Sequence, residues 1–304
     1  MRSTSILTCC LVLAPLVAQA QTKRPTMAVL PVKASGDSRV GQVNHLGKLS
    51  LVGLRDAVEG LLIRTQKLTV VDRKRLDKIL DEAGLTDLGL TEPETAVKTG
   101  GLLGADYFLE VRVAEWSLER SQRQIPISRR WQRQNLATCA LSVRIVSART
   151  GKVALNERVG ATRRWKEESA QQLPRNPVSS ETVQALQNLA LARLRDKVMV
   201  AFPMKVVSLD ASGTVFLSYG KGTGIQVGDR CSVLGAGAEL KDPDTGEVLG
   251  RSDTELARVE IVSVEEKFCR AKVVSGESIQ IRKGARCKII REDPADWPRA
   301  GGGR

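Results

Sequence analysis

The chain has 304 residues, 47 of them Lys or Arg against 34 Asp or Glu, and a formal net charge of +13. That length allows two ordinary domains, and the basic balance suits anionic surfaces or acidic partners. One histidine and no C-x-x-C leave zinc without its usual ligands, and four Trp, two Tyr and four Phe are few for stacking along a nucleic-acid strand.

The first residues read as an export signal rather than as part of a fold. Arg2 supplies the positive start, Ile6 to Val17 the apolar stretch, and Ala18-Gln19-Ala20 an A-x-A cleavage site. The apolar stretch is too short to span a bilayer. Cys9 and Cys10 raise a lipoprotein signal as the alternative, but Thr8 or Cys9 fits poorly before a modified cysteine, and only two apolar residues precede Cys9. Cleavage after Ala20 removes Arg2 and no acid, leaving 46 bases, 34 acids and a charge of +12. No later run approaches ~18 consecutive apolar residues, so no transmembrane segment is expected.

From Thr26 to Val32, "TMAVLPV" predicts a buried strand stopped by proline. Leu46, Leu49, Val52, Leu54, Val58, Leu61 and Leu62 then recur at helical spacing. "KLTVVD" predicts a second strand, and Asp72 is placed to cap the helix "RKRLDKILDEAG", with Gly84 ending it. A short helix, "PETAVKTGGLLGA", leads into the strand "DYFLEVRVAEW". Such alternation argues for an α/β layer sandwich. "SLERSQRQIPISRRWQRQ" is polar, basic and poorly periodic, and reads as an exposed loop or hairpin tip. Two strands follow, around the turn Arg149-Thr150-Gly151-Lys152. "QQLPRNPVSS" reads as a linker, and Ser179 or Ser180 opens a long amphipathic helix with Pro203 just beyond its end.

Beyond Pro203 the period changes to two. Short strands with turn residues between them predict a small all-β barrel. It carries an internal echo, Gly228-Asp229-Arg230-Cys231 against Gly284-Ala285-Arg286-Cys287. Equivalent strands could bring Cys231 and Cys287 together as a disulfide, and two buried thiols fit equally well. "YGKGTGIQVGDRC" resembles a phosphate-binding loop around Gly220-Lys221, but Val215 replaces its first glycine and Gly222 its hydroxyl residue. It is expected to turn the barrel's second strand. "DPDTGE", from Asp242, has Gly246 and Glu247 at the fifth and sixth positions of a calcium loop, which call for an acid or amide and a glycine, so a tight hairpin turn is expected. The tail "EDPADWPRAGGGR" has the composition of a disordered end.

Residues 26–200 resemble the CsgG family and its relatives with a TolB-N-like α/β fold, through "MAVLPV", "LTVVDRKRLDKILDEAGL", "TGGLLGADYFLEVRV" and "LSVRIVSARTGKVAL" in that order. The last quarter resembles the C-terminal domain of flagellar assembly protein T, through "GIQVGDRCSVL", "DPDTGEVLG" and "ARVEIVSVEEKFCRAKV". The organisation expected is a signal over 1–20, a TolB-N/CsgG-like α/β layer sandwich over 21–203, a barrel domain over 204–292 and a disordered tail over 293–304.

The resemblance implies an exported assembly or scaffold factor of the cell envelope, in the periplasm or associated with the outer membrane. The runner-up is an outer-membrane secretion pore. In the curli pore each subunit is lipidated and donates two β-hairpins to a transmembrane barrel. Here the first insertion point holds Arg120, Arg123, Arg129, Arg130 and Arg133, and the second, "ATRRWKEESAQQLPRNP", is polar and broken by proline. Charges on a lipid face cost about 2–4 kcal/mol each at the midplane, so no pore is expected. His45 has no second histidine and no nucleophile beside it, so no enzyme and no cofactor are expected. Trp116, Arg120, Arg123, Arg129, Arg130, Trp131 and Arg133 are the candidate partner-binding residues, since tryptophan and arginine dominate binding hot spots. Trp165 is a further candidate for the same surface. The partners expected are envelope proteins or anionic envelope surfaces, with homo-oligomers consistent with the family and no nucleic acid.

Overall fold

In a computed structural model, residues 24–35, 49–82, 93–174, 178–246 and 248–290 are described. The expected signal with Cys9 and Cys10, His45, Gly84, Glu247 and the tail lie outside them.

β1 (Thr26–Val29) is nearly all buried, and β2 (Lys33–Ala34) follows after Pro31. α1 (Leu51–Thr65) starts at Ser50, whose Oγ accepts the Gly53 N–H at 3.0 Å. β3 (Thr69–Val70) leads to α2 (Arg73–Glu82), where Asp72 accepts the Arg75 N–H at 3.0 Å as its predicted cap. α3 (Pro93–Leu103) precedes three long strands, β4 (Tyr107–Gln124), β5 (Trp131–Ser147) and β6 (Val153–Ser169). α4 (Ser180–Val200) is capped by Ser179, which settles the choice between the two serines.

The sheet runs β3-β1-β4-β5-β6, with β2 on β4. β1 is parallel to β3 and β4, and β4 to β6 are antiparallel. Alternation along β1 sends Met27 and Val29 toward α1 and α4, and Ala28 and Leu30 toward α2 and α3. Helices therefore cover both faces, as an α/β layer sandwich requires. Arg55 is buried in this layer and ties three elements together. Its Nη2 donates to the Val29 carbonyl at 2.9 Å, its Nη1 to Asp77 at 2.9 Å, and Glu59 lies 3.1 Å from its Nε.

Past Pro203 come β7 (Met204–Leu209), β8 (Thr214–Leu217), β9 (Arg230–Gly235), β10 (Glu239–Lys241), β11 (Val248–Arg251), β12 (Thr254–Val264), β13 (Cys269–Gly276) and β14 (Arg286–Ile290). Six of them close a barrel in the order β12-β13-β8-β7-β14-β9. β10 and β11 stand outside it as a separate hairpin. Its turn holds residues 242–246: Asp242 accepts N–H bonds from Asp244 and Thr245, and Gly246 has φ 69°.

The internal echo is structural. Gly228 and Gly284, with φ of 90° and 86°, each precede a strand, and those strands, β9 and β14, pair with each other. Cys231 faces Ile289, however, and Cys287 faces Val233. The two cysteines are thus diagonal neighbours, ~7–8 Å apart by ordinary sheet geometry, beyond the usual disulfide span. The disulfide expectation gives way to buried thiols: Cys139, Cys231, Cys269 and Cys287 are all buried, with no disulfide among them.

The glycine-rich stretch turns the barrel's second strand as expected, and it also packs against the sandwich. It joins β8 to β9 through a 3₁₀ turn, Lys221–Thr223, and this turn rests on α1 and α4. A Cβ on Gly222 would fall 1.7 Å from the Arg64 carbonyl oxygen, and one on Gly224 (φ 82°) would meet the Arg195 guanidinium at 2.1 Å. Beside it Tyr219 donates its hydroxyl to the Met199 and Phe202 carbonyls at 3.0 and 2.9 Å, fastening the barrel to the end of α4. Lys221 pairs with Glu266 at 2.9 Å and is engaged away from any phosphate cradle. One apolar core consequently runs from α1 and α4 into the barrel interior.

Candidate partner-binding ribbon

The basic stretch read as an exposed loop or hairpin tip is a hairpin, and its arms continue the sheet. β4 pairs with β5 without interruption from Glu115 to Gln124, and β5 pairs with β6 out to Ser169. Polar residues sustain these strands because alternation, not apolarity, is what a pleated ribbon requires; each position still finds its ladder partner. A bulge between Val113 and Glu115 exchanges the two faces of β4. From there outward Trp116, Leu118, Arg120 and Gln122 lie on the α4 side, while Glu119, Ser121 and Arg123 lie on the other.

The tip spans residues 125–130. The Arg130 carbonyl accepts from the Ile125 N–H at 2.8 Å, and the Ile125 carbonyl from the Arg129 N–H at 2.9 Å. Arg129 takes φ 54°, and Gln124 donates to its carbonyl at 2.9 Å. Ile127 stands 99% exposed at the extremity. Arg123, Arg129 and Arg130 are exposed around it, and Trp131 is half-buried at the base.

The seven candidate residues separate into three groups. Trp116 is 1% exposed, opposite Cys139 in the apolar core, and its place on a binding surface is corrected: the bulge turns it inward. Burial pushes the Cys139 thiol up to about 12. Arg123, Arg129, Arg130 and Trp131 gather at the tip. Arg120 and Arg133 sit further in, on the side facing α4. Arg133, 4% exposed, donates to the Pro174 carbonyl at 2.7 Å and to Gln122 at 3.3 Å, and lies 3.6 Å from Glu167. Arg120 donates from Nε to Asn135 at 3.1 Å. Burial first, and Arg133 second, lower the proton affinity of the Arg120 guanidinium.

Sequence reasoning passed over the partners of this network. Glu167 accepts from the Trp165 indole N–H at 2.8 Å and from Asn135 at 3.3 Å, aligned across three strands by the register Arg120–Asn135–Trp165. The alternation within "TRRWKEES" was the available signal. β6 also adds Arg163, Arg164 and Lys166 to the ribbon. Between Ser117 and Asn135 on β4, the tip and β5, and between Thr162 and Ser169 on β6, eight cations stand against Glu119, Glu167 and Glu168. Neither face of this outer half is apolar: one carries Arg120, Gln122 and Arg133, the other Arg123, Gln134, Arg164 and Lys166. A lipid-facing strand has an apolar side. Among the described residues no group of His, Cys, Asp and Glu could hold a metal ion, and no helix is long and apolar enough to cross a membrane.

Comparison with known proteins gives three kinds of result. No curated protein matches the chain. Solved structures similar to it include the LpoB C-terminal domain from Salmonella enterica, at 15% identity and TM-score 0.30 over 47% of this chain and 87% of that one. The protein CT253 from Chlamydia trachomatis is similar at 12% identity and TM-score 0.36 over 59% and 99%. Lipoprotein GNA1162 from Neisseria meningitidis is similar at 16% identity and TM-score 0.33 over 56% and 97%. Values this low carry no function across. The family model described as curli production assembly/transport component CsgG, by contrast, matches residues 20–177, just over half of the sequence, and the chain belongs to the CsgG family.

Proposed function

We propose that this CsgG-family chain is an exported accessory or scaffold factor of the cell envelope that acts by binding, without chemistry of its own. The observation that carries the reading is the outer half of the ribbon, where eight cations face three acids and a fully exposed Ile127 caps the tip. An apolar side chain ringed by arginines suits an acidic partner surface with a small apolar pocket. Residues 21–203 and 204–292 are taken as its two domains, the second resembling in sequence the C-terminal domain of flagellar assembly protein T. The charges on both faces of the ribbon favour this reading over the secretion pore.

The test is a photo-crosslinking residue at Ile127 in the native host, with fractionation and mass spectrometry of the mature N-terminus. A start at Gln21 and one envelope protein captured at the tip, lost on Arg129→Glu with Arg130→Glu, support the proposal. Capture unaffected by the charge reversal, or a lipid-modified Cys9 or Cys10 in the outer membrane with no partner at the tip, would sink it.

A further inference from the structure

β6 ends the sheet: β5 lies along one side of it, and among the described residues no strand lies along the other. Toward its inner half α4 covers that open side, where Arg193 donates to the Gly160 carbonyl. This bond fixes the phase of the strand. The N–H and C=O of one residue point the same way in an antiparallel ladder, and the register from Leu155 to Ser169 is unbroken. Arg164, Lys166 and Glu168 therefore share the outward phase of Gly160. Among the described residues no hydrogen bond reaches their backbone groups from the open side. An edge of this kind is a template for a further strand.

The side chains along the edge specify what that strand would carry. On the face away from α4, Arg164 and Lys166 are exposed, and neither is in an ion pair among the described residues. Glu168, next along, accepts from Gln132 at 3.0 Å. Glu119 shares the Arg164 row but stands two strands away, ~10 Å by ordinary strand spacing. On the α4 face the half-buried Trp165 lies between Arg163 and Glu167, and the Glu167 carboxylate already accepts from Trp165 and Asn135. A strand laid along β6 thus meets two cations on one face and an indole on the other. A second copy of the chain is a poor occupant. Its own β6 would set Arg164 and Lys166 against themselves, and like charges directly opposite one another are destabilising.

We propose that the outer edge of β6 takes an extended acidic segment of a partner protein as an added strand, with acidic side chains against Arg164 and Lys166 and apolar ones beside Trp165. The main-chain bonds hold the segment, and the alternation of acidic and apolar residues selects it. The inference rests on the reading of the ribbon as a binding surface and adds how the partner is held.

A short fluorescent peptide alternating glutamate with valine, titrated against the whole chain, tests it. Saturable binding is expected, and it should slow hydrogen exchange at the Arg164 and Lys166 amides but not at Arg163 and Trp165, which already face β5. N-methylation of every second peptide residue should abolish binding in one phase and spare it in the other. Arg164→Glu with Lys166→Glu should weaken binding at least about tenfold with an unchanged melting temperature. Lys272→Glu with Lys288→Glu, the same change of charge on the exposed side of the barrel, should not. No saturable binding at millimolar concentration would mean that the cations only guard the edge. Equal binding of both N-methylated phases, or an equal loss in the barrel variant, would reduce the contact to general charge attraction. Each of these results overturns the added strand and leaves capture at Ile127 standing, so the two readings fail separately.

Discussion

Replacing Gly222 by alanine asks whether the glycine-rich turn is a docking surface between barrel and sandwich. The added Cβ would lie 1.7 Å from the Arg64 carbonyl oxygen, 2.2 Å from its carbon and 2.8 Å from the Thr65 nitrogen. All three are backbone atoms, so no side-chain rotation relieves the clash; the turn and the end of α1 must separate by roughly another 1.5 Å to reach ordinary contact. Overpacking of this kind costs about 2–3 kcal/mol, which for a chain of this size lowers Tm by roughly 5–10 °C. Gly222 lies outside the positive-φ glycines, so the loss would report contact and not backbone strain. Gly101→Ala is the control: nothing lies within 4 Å of its added methyl, and removing a helical glycine should leave Tm unchanged or raised. Thermal unfolding followed by circular dichroism measures both. A Gly222→Ala variant melting within about 1 °C of the parent would refute the assignment of this turn to the junction.

Two further outcomes are expected. Burial, then Arg24, lowers Lys67 from 10.5 to about 8; the unfolded chain therefore binds the extra proton between those values, and stability rises with pH across that window. The stability gap between Lys67→Met and the parent should narrow in the parent's favour from pH 8 to 10.5, and denaturant titration at several pH values showing a constant gap would contradict the burial of this lysine. Burial also pushes the Cys269 and Cys287 thiols up to about 12, so iodoacetamide at pH 8 should label none of Cys139, Cys231, Cys269 and Cys287 in the folded chain from Gln21 onward and all four after denaturation without reductant; two labels would restore the disulfide.

The helices and short strands were legible because each carries a local signature. Leu54, Val58, Leu61 and Leu62 recur with helical spacing, Asp72 and Ser179 accept the N–H bonds expected of caps, and the switch to period two after Pro203 announces the barrel. These depend on residues a few positions apart. The ribbon did not announce itself, since its strands are held by cross-strand pairs as far apart in sequence as Tyr107 and Ser147 or Trp131 and Ser169, and polar alternation looks the same in a loop. Trp116 was misplaced for a related reason: one bulged residue reverses which face every later side chain takes.

The sequence alone determined the class of fold, the order of its elements, the basic character and the family resemblance, because periodicity, caps and charge are local or additive properties. Only the tertiary structure decided where those charges go and what the glycines do. The register of β9 on β14 keeps Cys231 and Cys287 diagonal, and the packing of the barrel on α1 and α4 turns a motif that looked like a phosphate loop into a close backbone contact. The Arg120–Asn135–Trp165 row exists only where three strands bring distant residues side by side. Such contacts follow from strand register and close packing, which are relations between distant segments and leave no periodic trace in any one of them.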